Sequence, residues 1–136
     1  MNENGAPATA LRISALVKRF GEKVAVDGID LEVPTGSFFG LVGPNGAGKT
    51  TTLSMATGLL RPDAGAVHVH GVDVWGDPVL AKRMIGNLAD GVRLFDRLTG
   101  EQLITYTAMM FGLPRPEIAP RVPDLITLMD LGEAAG

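Results

Sequence analysis

Gly43-Pro44-Asn45-Gly46-Ala47-Gly48-Lys49-Thr50 is the stretch whose residue types and spacing could do chemistry. It matches G-x-x-x-x-G-K-[ST], and each fixed position has a physical reason. Glycines let the backbone wrap closely around phosphate, with several N–H groups pointing inward as an anion nest. A helix that starts as the loop ends adds its positive N-terminal end. Lys49 would place an ammonium on the β- and γ-phosphates, Thr50 would offer a hydroxyl to Mg²⁺, and Thr51 would reach the α-phosphate. The rival explanation is a chance match in a glycine-rich turn. What decides between them is context: a buried strand before the loop and an amphipathic helix after it.

The flanking pattern supplies that context. Ser37-Phe38-Phe39-Gly40-Leu41-Val42 is apolar on both faces, as expected of a strand in the middle of a covered parallel sheet. After the loop, Leu53, Ala56 and Leu60 form one stripe of a helix, with Gly58 and Pro62 as stop signals. Upstream, Leu11, Ile13, Ala15 and Val17 alternate with more polar residues, then Gly21-Glu22-Lys23 turns the chain. Ile29, Leu31 and Val33 alternate again before Pro34-Thr35-Gly36, which suggests an antiparallel layer with one wet face. Downstream the pattern predicts a short strand over Ala66 to His70, a short helix from Asp77-Pro78 and a short strand over Met84 to Ala89. Thr99 and Gln102 have capping-box spacing, and Leu103, Thr107, Met110 and Phe111 trace a helix face closed by Gly112-Leu113-Pro114. A last helix carries Leu125, Ile126, Leu128 and Met129, its start blurred by Pro120 and Pro123.

Bulk properties narrow the class. The 136 residues are 46% hydrophobic and 20% charged, within the range of a globular domain. A net charge of −3 argues against a surface built for nucleic acid or anionic lipid. Cysteine is absent, which rules out a disulfide framework or a thiolate metal site and fits a reducing compartment. Residues 1–10 read as a flexible tail without secretion-signal character. No apolar run approaches the ~20 residues needed to cross a bilayer. His68 and His70 sit at i, i+2 with no third ligand in view, so an exposed strand face is their plainer explanation. Trp75 reads as packing beside Val72 and Val74, and the six methionines as helix-core filler.

With these residues in place, the chain resembles the nucleotide-binding subunit of ABC transporters. The wording Gly-Pro-Asn-Gly-Ala-Gly-Lys-Thr-Thr over residues 43–51 is that family's form of the loop, and the segment from Thr52 through Gly71 is also similar. Leu94-Phe95-Asp96-Arg97-Leu98-Thr99-Gly100-Glu101 resembles the branch serving drug, antibiotic and other small-molecule exporters. The resemblance implies an α/β P-loop NTPase of the ABC ATPase type, with an antiparallel β layer at the N-terminus and the start of a helical subdomain. It divides the chain into the tail, residues 11–94 as the N-terminal part of the ATP-binding core, and residues 95–136 as the start of the helical subdomain.

The same resemblance implies ATP and Mg²⁺ as cofactors, bound by Gly43, Pro44, Asn45, Gly46, Ala47, Gly48, Lys49, Thr50 and Thr51. It puts Phe20 at the adenine-stacking position, where core packing is the alternative. Asp90 falls by spacing where the family has a Gln that touches Mg²⁺ and the attacking water. An aspartate is a good hard-cation ligand but shorter and charged; a solvated loop acid explains it equally well. The Asp-Glu strand end, switch His and serine-glycine signature that hydrolysis needs in this family are not in these residues. Leu125 to Asp130 mimics the first of them, but Leu131 follows where Glu is required, and its apolar spacing suits a helix. No catalytic residue is therefore assigned, the core is expected to be incomplete, and this segment is expected to bind ATP without cutting it. Partners implied are a transmembrane permease and a second nucleotide-binding subunit, with no nucleic acid, at the cytoplasmic face of the membrane. The alternatives are a nucleotide-binding module without turnover, or a soluble ABC protein of translation or repair.

Overall fold

The computed structural model describes residues 8–88 and 97–132. They belong to two compact units, Met1–Asn87 and Leu88–Gly136. In the first, β1 (Thr9–Phe20) and β2 (Lys23–Pro34) form a long hairpin, followed by α1 (Lys49–Ala56), β3 (Ala64–Val69), β4 (Val72–Asp73) and α2 (Pro78–Arg83). The four strands make one antiparallel sheet in the order β2-β1-β3-β4. Gly21, at φ +59, helps turn the β1–β2 hairpin. Between β3 and β4 a two-residue turn of His70 and Gly71 has both φ values positive, the hairpin geometry that matches strand twist.

One face of this sheet is covered. Ile13, Leu16, Val26, Val67 and Val69 pack with Met55 and Ala56 of α1, Val74, and Ala81 of α2 into a single core. The alternation expected along β1 fails at Ala15, which is exposed while Leu16 is fully buried. The cause is a bulge: Ala15 has φ +46, and the register on β2 shifts between Ile13 and Leu16. The Ala15 N–H, freed from the ladder, donates to Asp30 Oδ1 at 2.8 Å. On the other side β3 passes so close that a Cβ on Gly65 would stand 2.4 Å from the Ala15 carbonyl oxygen. Asp63 then ties the approach to β3 onto the end of β1, accepting from Lys18 Nζ at 2.9 Å and from the Arg19 N–H at 2.6 Å. These bonds hold its carboxyl below the ordinary aspartate range.

Three expectations for this unit are corrected. Ser37 to Val42 does not pair as a strand: Phe38 is fully exposed and Val42 nearly so, because no strand lies beside them among the described residues. Leu53 of α1 is half-exposed, and the helix buries Thr52, Met55 and Ala56 instead, with Leu60 partly buried against the core. Met84 to Leu88 is irregular chain after α2 rather than a strand, and Ala89 lies outside the described residues. Asp77 caps α2 as its position suggests, accepting from the Leu80 N–H.

The second unit holds α3 (Gly100–Met110) and α4 (Arg115–Leu128). The capping box at α3 is formed: Thr99 Oγ1 accepts from the Gln102 N–H at 3.2 Å, and Gln102 Oε1 accepts from the Thr99 N–H at 3.1 Å. The face expected through Met110 and Phe111 is wrong, since both are exposed while Leu103, Ile104 and Ala108 are half-buried. α4 runs straight through Pro120 and Pro123. Each proline forfeits one backbone donor, and burial of Ile118 and Val122 holds the helix across them. Of the apolar residues expected on its face, Leu125, Leu128 and Met129 are exposed and Ile126 is half-buried. Residues 125–128 are helical, and Asp130 turns the chain at φ +53.

Gly65→Ala should lower stability by roughly 2 kcal/mol or more, because a left-handed residue and a backbone clash coincide there. Gly21→Ala, equally left-handed but in open space, should cost about 1 kcal/mol. Equal losses in urea denaturation would show that the bulge contact carries no strain. Asp63 should contribute stability above the ordinary carboxylate range that disappears as pH falls through its lowered folded value. Asp63→Asn should therefore flatten the decline of Tm below about pH 4.

Candidate nucleotide-binding loop

The loop from Gly43 to Thr51 leads into α1, which begins at Lys49. Gly46 at φ +82 and Gly48 at φ +86 take backbone angles that an L side chain resists, so the glycines at these positions are required by conformation. Ala47 N–H donates to the Pro44 carbonyl at 3.2 Å, closing the bend. Gly48 is the N-cap of α1, and its carbonyl accepts from the Thr52 N–H at 2.8 Å. No side chain caps this helix end and no acid lies in its first turn. Its amides and the positive end of its dipole are left for an incoming anion.

Lys49 reaches back over the bend. Its Nζ donates to the carbonyls of Gly43 and Pro44, both at 2.7 Å. The ammonium thus pins the start of the loop to the first turn of the helix. Lys49 is half-buried, Thr50 is exposed and Thr51 is half-buried. The loop is also fixed to the sheet: a Cβ on Gly48 would lie 2.3 Å from the Ala25 carbonyl oxygen and 3.3 Å from Val26 Cγ2. No other residue could sit there without moving β2.

Phe20 lies at the end of β1, outside the loop's own hydrogen bonds, and the residue is 51% exposed. That exposure disfavours core packing as its role. It pairs across the hairpin with Lys23, on the strand whose Ala25 carries Gly48. Lys18 Nζ stands 5.6 Å from the ring centroid, a cation–π distance. Sequence reasoning did not find Lys18: its link to Phe20 comes from the strand end, where Asp63 and the Arg61 carbonyl hold the ammonium. Nor did it find Ala25, because no local pattern marks a carbonyl that a distant glycine will touch. Asp90 lies outside the described residues. Among the described residues, no group of three or more His, Asp or Glu side chains is arranged to hold a metal.

The match to known proteins follows this geometry. The family model described as ABC transporter matches residues 26–134. The chain belongs to the ABC transporter family. It is 38% identical over 131 residues to the daunorubicin/doxorubicin resistance ATP-binding protein DrrA of Streptomyces peucetius, covering 96% of this chain and 40% of that protein. It is 38% identical over 125 residues to the Nod factor export ATP-binding protein I of Ralstonia nicotianae, covering 92% of this chain and 39% of that one. Among solved structures, the ATP-binding subunit of an ABC transporter superposes with a TM-score of 0.81 at 28% identity, covering 93% of this chain and 53% of that chain. The fold is therefore the P-loop NTPase fold of ABC ATPases, with its antiparallel N-terminal sheet, and the chain spans well under two thirds of the relatives it matches. Among the described residues no helix is long and apolar enough to cross a membrane.

Gly48→Ala should displace the loop from β2 and weaken ATP binding by about tenfold or more while the core of Ile13, Leu16 and Val67 survives. Near-wild-type affinity in calorimetry, with wild-type Tm, would mean that the Ala25 contact does not set the loop.

Proposed function

We propose that residues 43–51 bind Mg-ATP, and that the chain acts within the ATP-binding subunit of a transporter that exports a small molecule. The observation that carries this reading is the bridge from Lys49 Nζ to the Gly43 and Pro44 carbonyls, which folds the loop over an uncapped helix start. An ammonium, several amides and a helix N-terminus converge there, the arrangement that recognises polyphosphate. Thr50 supplies the Mg²⁺ hydroxyl, Thr51 reaches the α-phosphate, and Phe20 stacks on the base. By its spacing in the sequence, Asp90 falls where a second metal contact is expected.

Export is supported by the likeness to the Nod factor export ATP-binding protein I of Ralstonia nicotianae. In this reading residues 11–94 belong to the ATP-binding core and residues 95–136 open the helical subdomain. The complete protein hydrolyses ATP, docks on a transmembrane permease at the cytoplasmic face, and pairs with a second nucleotide-binding subunit. Phosphoryl transfer depends on positioning and charge stabilisation, and the residues in hand supply the cradle. Residues 1–136 are accordingly assigned nucleotide capture without turnover.

Lys49→Ala should weaken ATP binding at least about tenfold, since it removes a charge-assisted contact to phosphate. Retained affinity in calorimetry would overturn the loop assignment. Purified residues 1–136 should show no Mg²⁺-dependent phosphate release above the Lys49→Ala control, and robust release would refute capture without turnover.

A further inference from the structure

The sheet has a second face, turned away from α1, and its residues form a cross-strand row. Arg12 of β1 stands opposite Glu32 of β2 and opposite His68 of β3, and His68 stands opposite Asp73 of β4. Ile13, Val67 and Val69 alternate with this row and point into the core. Beside it lies a concavity of about 560 Å³ whose lining includes Thr9, Arg12, Ser14, His68, His70 and Gly71. None of residues 43–51 contributes to it.

We propose that this concavity is a second oxyanion site, taking a phosphate-class anion between Arg12, Ser14, His68 and His70. The case rests on which groups face the space and which do not. Both carboxylates of the row are held by hydrogen bonds, Glu32 at the edge of the concavity through Thr9 and Arg12. Glu32 accepts from the Thr9 hydroxyl and from Arg12 Nη2. Asp73 accepts from the backbone N–H groups of Trp75 and Gly76. Neither acid lines the concavity, whereas a guanidinium, a hydroxyl and two imidazoles do. Arg12 commits Nη2 to Glu32 and carries five N–H donors in all, in the fork geometry that suits oxyanions. Among the described residues the lining brings Arg12 and no carboxylate, which favours an anion over a cation. Among the described residues, the charged groups across the strands from His68 are Arg12 of β1 and Asp73 of β4, with Glu32 one strand further.

The test is a titration of the isotope-labelled 136-residue chain with inorganic phosphate, read by nuclear magnetic resonance at Ser14, His68 and Gly71. Saturable shifts at these residues, persisting in Lys49→Ala and weakened about tenfold or more in Arg12→Gln, are expected. A His68→Gln, His70→Gln double variant should weaken binding as well, by about tenfold or more. The double variant also carries the test if Arg12→Gln does not fold. A parallel arm measures co-sedimentation with phosphatidylcholine vesicles, with and without phosphatidic acid. Capture by the acidic vesicles that requires Arg12 would assign the anion to a lipid headgroup, and saturation by free phosphate alone to a soluble ligand. Shifts confined to Gly46 through Thr51, a drift that never saturates, or equal affinity in Arg12→Gln and in the double variant would overturn the proposal.

Discussion

The constraint on which the candidate site depends is the absence of a side chain at Gly48. The last glycine of the loop rests on the Ala25 carbonyl, closer than any Cβ allows, and takes a backbone angle that only glycine adopts without strain. Two requirements therefore meet in one residue. Its left-handed φ leads into α1, and its missing Cβ lets that start sit against β2. Lys49, the next residue, then has a fixed base from which to reach the Gly43 and Pro44 carbonyls. The cradle is thus built on the sheet rather than on a free loop, which is how a flexible glycine-rich segment comes to hold a defined shape.

The same sheet meets a second demand on its apolar side. Leu11, Ile13, Leu31, Phe39, Leu41 and Leu53 line a groove beside α1, and Phe38 and Val42 stand exposed just before the loop. Apolar area of this kind is costly in water at about 25 cal/mol per Å². An unpaired apolar segment also offers free backbone donors and acceptors to any neighbouring strand. The ABC subunit structure that superposes on this chain contains nearly as much chain again beyond the matched part. Among the described residues the strip before the loop has no strand beside it.

Much of this was legible in the sequence because the relevant interactions are short-range. The loop spacing, the Gly21 turn, the Asp77 cap and the Thr99–Gln102 box are each set within a few residues, and each is in place. What was not legible is long-range. The Ala15 bulge depends on Asp30 and Gly65 arriving from elsewhere in the chain, and it reverses the side-chain alternation that the pattern reading used. Phe38 to Val42 reads as a buried strand because its composition is that of one, yet burial belongs to a strand's neighbours as much as to its own residues. Pro120 and Pro123 blurred the start of α4 for a related reason: propensity opposes them, and the packing of Ile118 and Val122 overrides it.

The acids with displaced ionisation show how the described residues divide their labour. Glu32, Asp63 and Asp73 are all held below their ordinary range, each chiefly by hydrogen bonds, from Thr9 and Arg12, from Lys18 and Arg19, and from the backbone of Trp75 and Gly76. A carboxylate tuned this way is a good staple and a poor proton acceptor, since a general base works best with its pKa near the operating pH. All three serve strand ends and turns, away from the phosphate loop. The loop's own charge is the Lys49 ammonium, and no acid lies in the first turn of α1. The three carboxylates staple strand ends and turns, while the phosphate-loop motif carries the Lys49 ammonium.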